Sequence, residues 1–140
     1  MLWAGLAAGV GDTLLALLLF QVSPVRIYQS VAAGLLGRDS FQGGLATAAL
    51  GMCLHFFIAT TAAAAYVAAS TRLKLLLSQP VPCGLAFGIA VYFFMNLVVV
   101  PLSRARAGGF SWRLMVGHAL LVGLPIALVA RRRLGSGAMN

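Results

Sequence analysis

The chain has 140 residues, of which 61% are hydrophobic and only 9% are charged. Soluble domains carry about 25% charged residues, so this composition excludes an ordinary soluble protein and indicates an integral membrane protein. Ten Lys and Arg against two Asp and Glu give a net charge of +8. Because the basic residues fall between or after the apolar stretches, we interpret them as topology signals and contacts to anionic lipid headgroups, and we expect no nucleic-acid partner.

Four apolar stretches are long enough to cross a bilayer, which takes roughly 20 apolar residues in a helix. The predicted spans cover residues 2–22, 44–69, 83–102 and 112–130. The first lacks a basic leader region and a small-residue cleavage site, so we expect it to be retained. The pattern predicts an all-α fold in which residues 1–140 form a single transmembrane domain, an integral membrane four-helix bundle.

The connection between the first and second spans has the pattern of a short helix. Ser23 followed by Pro24 is typical of an N-cap with proline at the first helical position. Val25, Tyr28, Val31, Ala32 and Leu35 then form an apolar side, opposite Arg26, Gln29 and Ser30. This spacing predicts a short interfacial helix, and Asp39 with Gln42 predicts a capping box before the second span.

Small residues four apart predict where the spans pack, because they let helix backbones approach closely in a membrane. The pairs are Gly5 and Gly9, Gly44 and Ala48, and Gly84 and Gly88. In the fourth span, Pro125 predicts a kink that frees the carbonyl group of Leu121. Cys53 and Cys83 differ in predicted depth by about 15 Å, so we interpret both as small core residues and expect no disulfide or metal site.

Each predicted span contains one strongly polar residue near its middle: Asp12, His55, Asn96 and His118. Helical rise places Asp12 and His55 about 15 Å from the membrane face opposite the termini, and Asn96 and His118 about 7 to 10 Å from it. A charged carboxylate is costly in hydrocarbon, so Asp12 should pair with a histidine or keep its proton. We predict an intramembrane polar cluster of these four residues. The alternative is that each one only joins two helices by hydrogen bonds.

Several spacings in the second to fourth spans resemble those of the YagU-like bacterial inner-membrane proteins. They are His55 and Tyr66 with ten residues between them, Gly84 and Gly88 with twelve residues before Pro101-Leu102, and Gly117-His118 ahead of a basic tail. The resemblance implies a four-helix membrane fold and no established reaction. This chain departs from the family pattern at Asn96, where a histidine is expected, and at Asp12, where a small hydroxyl residue is expected.

Three classes of function remain open. The first, which we favour, is a non-enzymatic small membrane protein, an accessory or stress-related component without catalytic residues or cofactor, whose polar cluster tunes packing or senses protons. The second is a proton-coupled small exporter using Asp12, because the layout is similar to that of small multidrug-resistance transporters, although their Glu-centred motif is not matched. The third is a haem subunit or membrane enzyme using His55 and His118, and their predicted offset of about 8 Å in depth disfavours it.

Four spans place both termini on one side of the membrane, and the basic residues then divide evenly. Arg72, Lys74, Arg131, Arg132 and Arg133 lie on the terminal side, against Arg26, Arg38, Arg104, Arg106 and Arg113 on the other. This tie predicts weak topological commitment, so that two opposite insertions could form an antiparallel homodimer or a larger membrane complex. We favour cytoplasmic termini, because three consecutive arginines resist translocation.

Overall fold

A computed structural model describes residues 2–106 and 108–135, and this part of the chain is helical throughout its regular structure. The helices are α1 (Leu2–Phe20), α2 (Pro24–Leu36), α3 (Gly44–Arg72), α4 (Leu75–Ser78), α5 (Pro80–Leu102) and α6 (Trp112–Leu134). A 3₁₀ segment, Gly37–Gln42, leads into α3. By length and composition α1, α3, α5 and α6 could each cross a membrane. The predicted all-α class and the four helices of spanning length are therefore confirmed.

Each of the four long helices differs from its predicted span at one end: α1 ends at Phe20 rather than at residue 22, and α3 continues to Arg72 rather than ending at residue 69. α5 begins at Pro80, three residues earlier than predicted. Proline suits the first turn of a helix, where an amide hydrogen would have no acceptor within the helix. α6 continues through the arginine run to Leu134. Three of the four helices are thus slightly longer than their predicted spans, and α1 is slightly shorter.

A widened π-helical turn precedes each internal proline of the long helices. Met95–Val99 comes before Pro101 in α5, and Ala119–Gly123 comes before Pro125 in α6. Proline cannot donate to the carbonyl group four residues earlier, so the regular ladder is interrupted there. The irregularity predicted at Pro125 therefore takes the form of a π-helical turn, a feature often found at functional sites.

The long helices pack in a partly open arrangement. α1 contacts both α3 and α6, and α5 packs along α6, whereas α3 and α5 make few close backbone contacts and meet at the rings of Tyr66 and Phe87. Ala4 and Ala8 of α1 lie in one buried core with Ala63 of α3 and with Ile126 and Ala130 of α6. The beginning of α1 and the end of α6 therefore lie at the same end of the molecule.

Two of the three predicted small-residue pairs lie at close helix contacts. A β-carbon added at Gly5 would lie 2.6 Å from the hydroxyl oxygen of Thr60, and one at Gly84 would lie 3.0 Å from the carbonyl oxygen of Gly123. Their partners Gly9 and Gly88 are equally crowded, by α3 and α6 respectively.

The third pair is only half correct. Ala48 is buried, but a β-carbon at Gly44 would meet nothing within 4 Å. Gly44 instead has a positive φ of 58° at the start of α3, a conformation that glycine adopts without steric cost. Cys53 was also wrongly interpreted as a core residue, because its side chain is exposed on α3.

The short helix predicted between the first two spans is present as α2, but its buried side differs from the prediction. Ser23 caps it, accepting a hydrogen bond from the Arg26 amide at 3.3 Å. Leu35 is 57% exposed, whereas Gln29 is only 5% exposed. The Gln29 amide donates to the carbonyl oxygen of Gly44 at 3.0 Å, so a polar side chain is satisfied between α2 and α3.

The predicted capping box at Asp39 is wrong. Asp39 is exposed in the 3₁₀ segment, and the N-cap residue of α3 is Gly43, which makes no side-chain capping bond. Instead, the Thr47 hydroxyl in the first turn of α3 donates back to the carbonyl oxygen of Ser40 at 2.6 Å. The start of α3 is therefore stabilised by a side chain of its own first turn.

Candidate functional site: an Asp and two His between three helices

Asp12 on α1 lies between a histidine of α3 and a histidine of α6. Its Oδ2 atom is 3.9 Å from Nδ1 of His55, and its Oδ1 atom is 3.5 Å from Nε2 of His118. The side chains of Asp12, His55 and His118 are 28%, 12% and 16% exposed. Three of the four predicted polar residues thus meet in one place, which we call the Asp12 cluster.

Two glycines shortly before Asp12, one facing α3 and one facing α6, bring the cluster together. A β-carbon at Gly9 would lie 2.6 Å from the Phe56 ring on α3, and one at Gly11 would lie 2.6 Å from the carbonyl oxygen of Leu121 on α6. Only glycine at these two positions allows α1 to approach both α3 and α6 so closely. Asp12 therefore reaches histidines on both of them.

His118 lies deeper in the fold than predicted. The depth count assumed that all spans begin in one plane, but the helix ends are staggered. The amide of Ser111, directly before α6, donates to the hydroxyl oxygen of Tyr92 at 2.9 Å. Tyr92 comes ten residues before the end of α5 at Leu102, which is about 15 Å of helix. α6 therefore begins well below the end of α5, and His118 reaches the level of Asp12.

Asn96 does not belong to the Asp12 cluster. Its side-chain amide donates to the carbonyl oxygen of Tyr92 at 2.8 Å, one turn earlier in the same helix. Such back-bonding satisfies a short polar side chain without any partner from another helix. Asn96 therefore fits neither the predicted cluster nor the alternative of a hydrogen bond between two helices.

The hydrogen bonds of the two histidines determine which ring nitrogens face Asp12 without a hydrogen. Nε2 of His55 lies 2.9 Å from the carbonyl oxygen of Gly9, and Nδ1 of His118 lies 2.8 Å from that of Leu114. A carbonyl oxygen can only accept, so these nitrogens must carry hydrogens. In the neutral rings the opposite nitrogens then present lone pairs to Asp12. Three acceptors converge, and they can pair only by sharing an added proton or a donor group.

A second layer of hydroxyl groups supports His55, and the sequence analysis missed it. The Thr13 hydroxyl donates to the Gly9 carbonyl oxygen at 2.8 Å and lies 3.3 Å from Nε2 of His55. Tyr28 of α2 lies 3.2 Å from the same Thr13 oxygen, and must be the donor because the Thr13 hydrogen is already used. The available signals were the position of Thr13 directly after Asp12 and the place of Tyr28 in the predicted short helix.

The Asp12 cluster borders a small cavity of about 150 Å³. Drug-sized ligand sites have volumes of about 300 to 1,000 Å³, so this space suits only a compact chemical group. Within residues 2–106 and 108–135 no three His, Cys, Asp or Glu side chains are placed to hold a metal ion. The converging acceptors and the small volume of the cavity suit a proton or a small hydrogen-bond donor.

An apolar groove of about 460 Å³ lies between α3 and α5, directly beside the small cavity. The two spaces share the side chains of Ile58, Ala62, Val91 and Met95. Thr61 is the one hydroxyl residue that lines the groove, and its hydrogen goes to the Phe57 carbonyl oxygen of its own helix at 2.8 Å. The groove is therefore apolar along its length, and the polar atoms of the Asp12 cluster line the neighbouring cavity.

No protein-family profile, curated protein or solved structure matches this chain. The resemblance to YagU-like proteins therefore stays a prediction.

Proposed function

We propose that this protein is a non-enzymatic, multi-pass membrane protein whose Asp12 cluster binds one exchangeable proton inside a four-helix bundle. The observation that supports this proposal is the convergence of three acceptors at separations of 3.5 and 3.9 Å. A proton on the Asp12 carboxyl group or on either imidazole converts an unfavourable contact into a hydrogen bond. Proton binding then draws α1, α3 and α6 together, which suits a proton sensor or an accessory component.

Few other titratable groups face the cluster. α3 contributes His55, α6 contributes His118, and α2 contributes Tyr28 through the Thr13 hydroxyl. From α5 the cavity residues Val91 and Met95 do not titrate, and the Tyr92 ring packs edge-on against the His118 ring with centroids 5.6 Å apart. With both rings neutral and the carboxyl group ionised the cluster has one negative charge, so a first proton makes it neutral. Its protonation is thus coupled to removing a charge from the membrane interior, where charge is costly.

Infrared titration of the purified protein tests this proposal, because the chain has only two acidic side chains, Asp12 and Asp39. We expect a protonated-carboxyl band that changes with pH in the wild type and in Asp39→Asn and is lost in Asp12→Asn. His118→Gln should move the midpoint of that titration, because one partner of the proton is replaced. A titrating band that survives Asp12→Asn, or one that is lost in Asp39→Asn, would contradict the proposal.

A second candidate function is proton-coupled export through Asp12, and the groove between α3 and α5 favours it. A substrate in this groove would lie beside the only acid of the four long helices. Substrate-stimulated proton release from proteoliposomes distinguishes the two candidates. Release by the wild type but not by Asp12→Asn supports export, and a proton-binding protein without such release is an accessory component.

The predicted difference in depth between His55 and His118 does not exclude a haem, but the size of the site does. The two histidines lie at one level, so the predicted offset in depth was wrong. However, the Asp12 carboxylate lies between the two ring nitrogens that face it, and the adjoining cavity is only about 150 Å³. Bis-histidine ligation of a haem would require that space to hold an iron porphyrin, so we do not propose it.

We propose a bacterial inner (plasma) membrane location with cytoplasmic termini, because the three consecutive arginines Arg131, Arg132 and Arg133 resist translocation. The end of α6 and the connection from α3 to α4 line one cleft, which brings Lys74 close to Leu134. At the opposite end the Arg104 amide donates to the carbonyl oxygen of Gly34 at 2.9 Å. Two basic belts thus lie at opposite ends of the long helices, where anionic lipid headgroups are the expected partners.

A further inference from the structure

We propose that the cavity and the groove together form a binding site for a long-chain primary alkylammonium ion, with the ammonium group at the Asp12 cluster and the alkyl chain between α3 and α5. This inference deepens the proposed function and rests on it, because the ligand takes the place of the exchangeable proton. The inference assigns one class of ligand to two adjacent spaces that have lining residues in common.

The head group follows from the directions of the hydrogen bonds. Both histidines turn their N–H groups toward backbone carbonyls, so only acceptors face the cavity: the Asp12 carboxylate, Nδ1 of His55 and Nε2 of His118. A primary ammonium group offers three N–H donors and a positive charge. Each ring nitrogen lies 3.5 or 3.9 Å from an Asp12 oxygen, so an ammonium nitrogen in the adjoining cavity can donate to the carboxylate and to an imidazole at charge-assisted distances of about 2.7 to 2.9 Å. A carboxylate ligand would be repelled, and a trimethylammonium group has no hydrogen to donate.

The tail follows from the chemistry of the groove. Ala62 and Ala90 leave space between the two helices, while Phe57, Phe87 and Phe94 supply apolar walls. The only hydroxyl group there is satisfied within its own helix, so the groove offers no partner to a polar tail. Because α3 and α5 make few close backbone contacts, an alkyl chain can enter sideways between them, beyond the contact of the Tyr66 and Phe87 rings.

Binding is an exchange in which charge and atoms balance. The neutral, singly protonated cluster takes up one alkylammonium cation and releases one proton to water. The complex then holds an ionised Asp12 carboxylate paired with the ammonium ion, so its net charge is again zero. One proton should therefore appear for each ligand that binds below the pH at which the free cluster ionises.

Equilibrium binding of radiolabelled dodecylamine to the full chain in nanodiscs tests this site, with proton release measured in parallel. We expect saturable binding, and about a tenfold or greater loss in Asp12→Asn, because a charge-assisted hydrogen bond is lost. Dodecyltrimethylammonium and dodecanoate should compete about tenfold more weakly or not at all. Equal competition by the trimethylammonium analogue, or unchanged binding in Asp12→Asn, would overturn the inference.

Ala90→Phe separates the tail site from the proton site, because Ala90 lines the groove but not the cavity. This variant should weaken dodecylamine binding while the infrared carboxyl titration of Asp12 persists and butylamine binding is unchanged. If the titration persists but no amine binds to the wild type, the ligand inference fails and the proton site stands. If neither is observed, the proposed function fails as well. Undiminished dodecylamine binding in a folded Ala90→Phe variant would overturn the tail assignment.

Discussion

Gly11 lies directly against the carbonyl oxygen of Leu121, the oxygen to which Pro125 has no amide hydrogen to donate. A β-carbon at Gly11 would lie 2.6 Å from that oxygen. The π-helical turn in α6 and Gly11 in α1 therefore form the two sides of one close helix contact. Because Gly11 precedes Asp12, this contact sets how close the carboxylate comes to α6.

The first prediction is that Gly11→Ala destabilises the protein although alanine favours helix formation. The clash with backbone in α6 should cost about 1 to 3 kcal/mol, more than the roughly 1 kcal/mol gained from helix propensity. Thermal unfolding in detergent measures the effect. The matched control is Gly34→Ala in α2, where the added β-carbon meets its nearest atom at 3.8 Å. Equal stability changes in the two variants would contradict the prediction.

The second prediction is an energetic coupling between Thr13 and Tyr28. Their hydroxyl oxygens are 3.2 Å apart, and Tyr28 is the donor. A double-mutant cycle of Thr13→Val and Tyr28→Phe should give a coupling of about 0.6 kcal/mol, the average for side-chain hydrogen bonds between membrane helices. Thr61→Val serves as the control, because its hydroxyl bonds only within α3, and it should be additive with Tyr28→Phe. Additivity of the first pair would exclude the bond.

The third prediction concerns the buried amide of Gln29. Gln29→Leu removes the donor to the Gly44 carbonyl oxygen and leaves that oxygen unpaired by α2. We expect a loss of about 1 to 3 kcal/mol in the free energy of unfolding. Ser30→Ala is the neighbouring control, because Ser30 is exposed and its hydroxyl donates to Ile27 in the same helix. A loss no larger than that of Ser30→Ala would show that the amide is not part of the α2 and α3 contact.

The fourth prediction concerns orientation. The basic residues divide five against five between the two ends, so removing three from one end should decide the insertion. A reporter fused to the C terminus should report a cytoplasmic position in the wild type. Changing Arg131, Arg132 and Arg133 to alanine should give a mixed or inverted position, because the positive-inside bias is lost.

The matched control removes charges from the opposite end. Changing Arg104, Arg106 and Arg113 to alanine should strengthen the cytoplasmic signal. A one-sided signal that survives the change of the three terminal arginines would disprove weak commitment, and exclusively periplasmic activity of the wild-type fusion would disprove the favoured orientation.

The helices could be predicted from the sequence because long apolar runs and prolines act locally. Gly84 and Gly88 were identified correctly for the same reason, since small residues four apart always share one helix face. Gln29 was assigned to the wrong side of α2, because its partner, the Gly44 carbonyl group, lies on another helix and leaves no trace in the local pattern.

The meeting of Asp12 with His55 followed from equal depth and the cost of a lone acid. The contact with His118 did not, because depth counting assumes level helix ends and the bond from Ser111 to Tyr92 shows that α6 starts lower. Asn96 was included wrongly since a sequence cannot show whether a polar side chain bonds within its own helix. The relative depths of residues on different helices depend on tertiary contacts, and the residue spacing within one segment does not reveal them.

α3 has 29 residues and is therefore about 43 Å long, while the hydrocarbon core of a bilayer is about 30 Å thick. A helix with such an excess tilts or projects into the headgroup region. α1 and α2 pack along α3, whereas α3 and α5 make few close backbone contacts. A change in the tilt of α3 would therefore widen or narrow the groove between α3 and α5. Bilayer thickness thus becomes a control on access to Asp12, and lipids with shorter acyl chains, which demand more tilt, would change that access without touching the site.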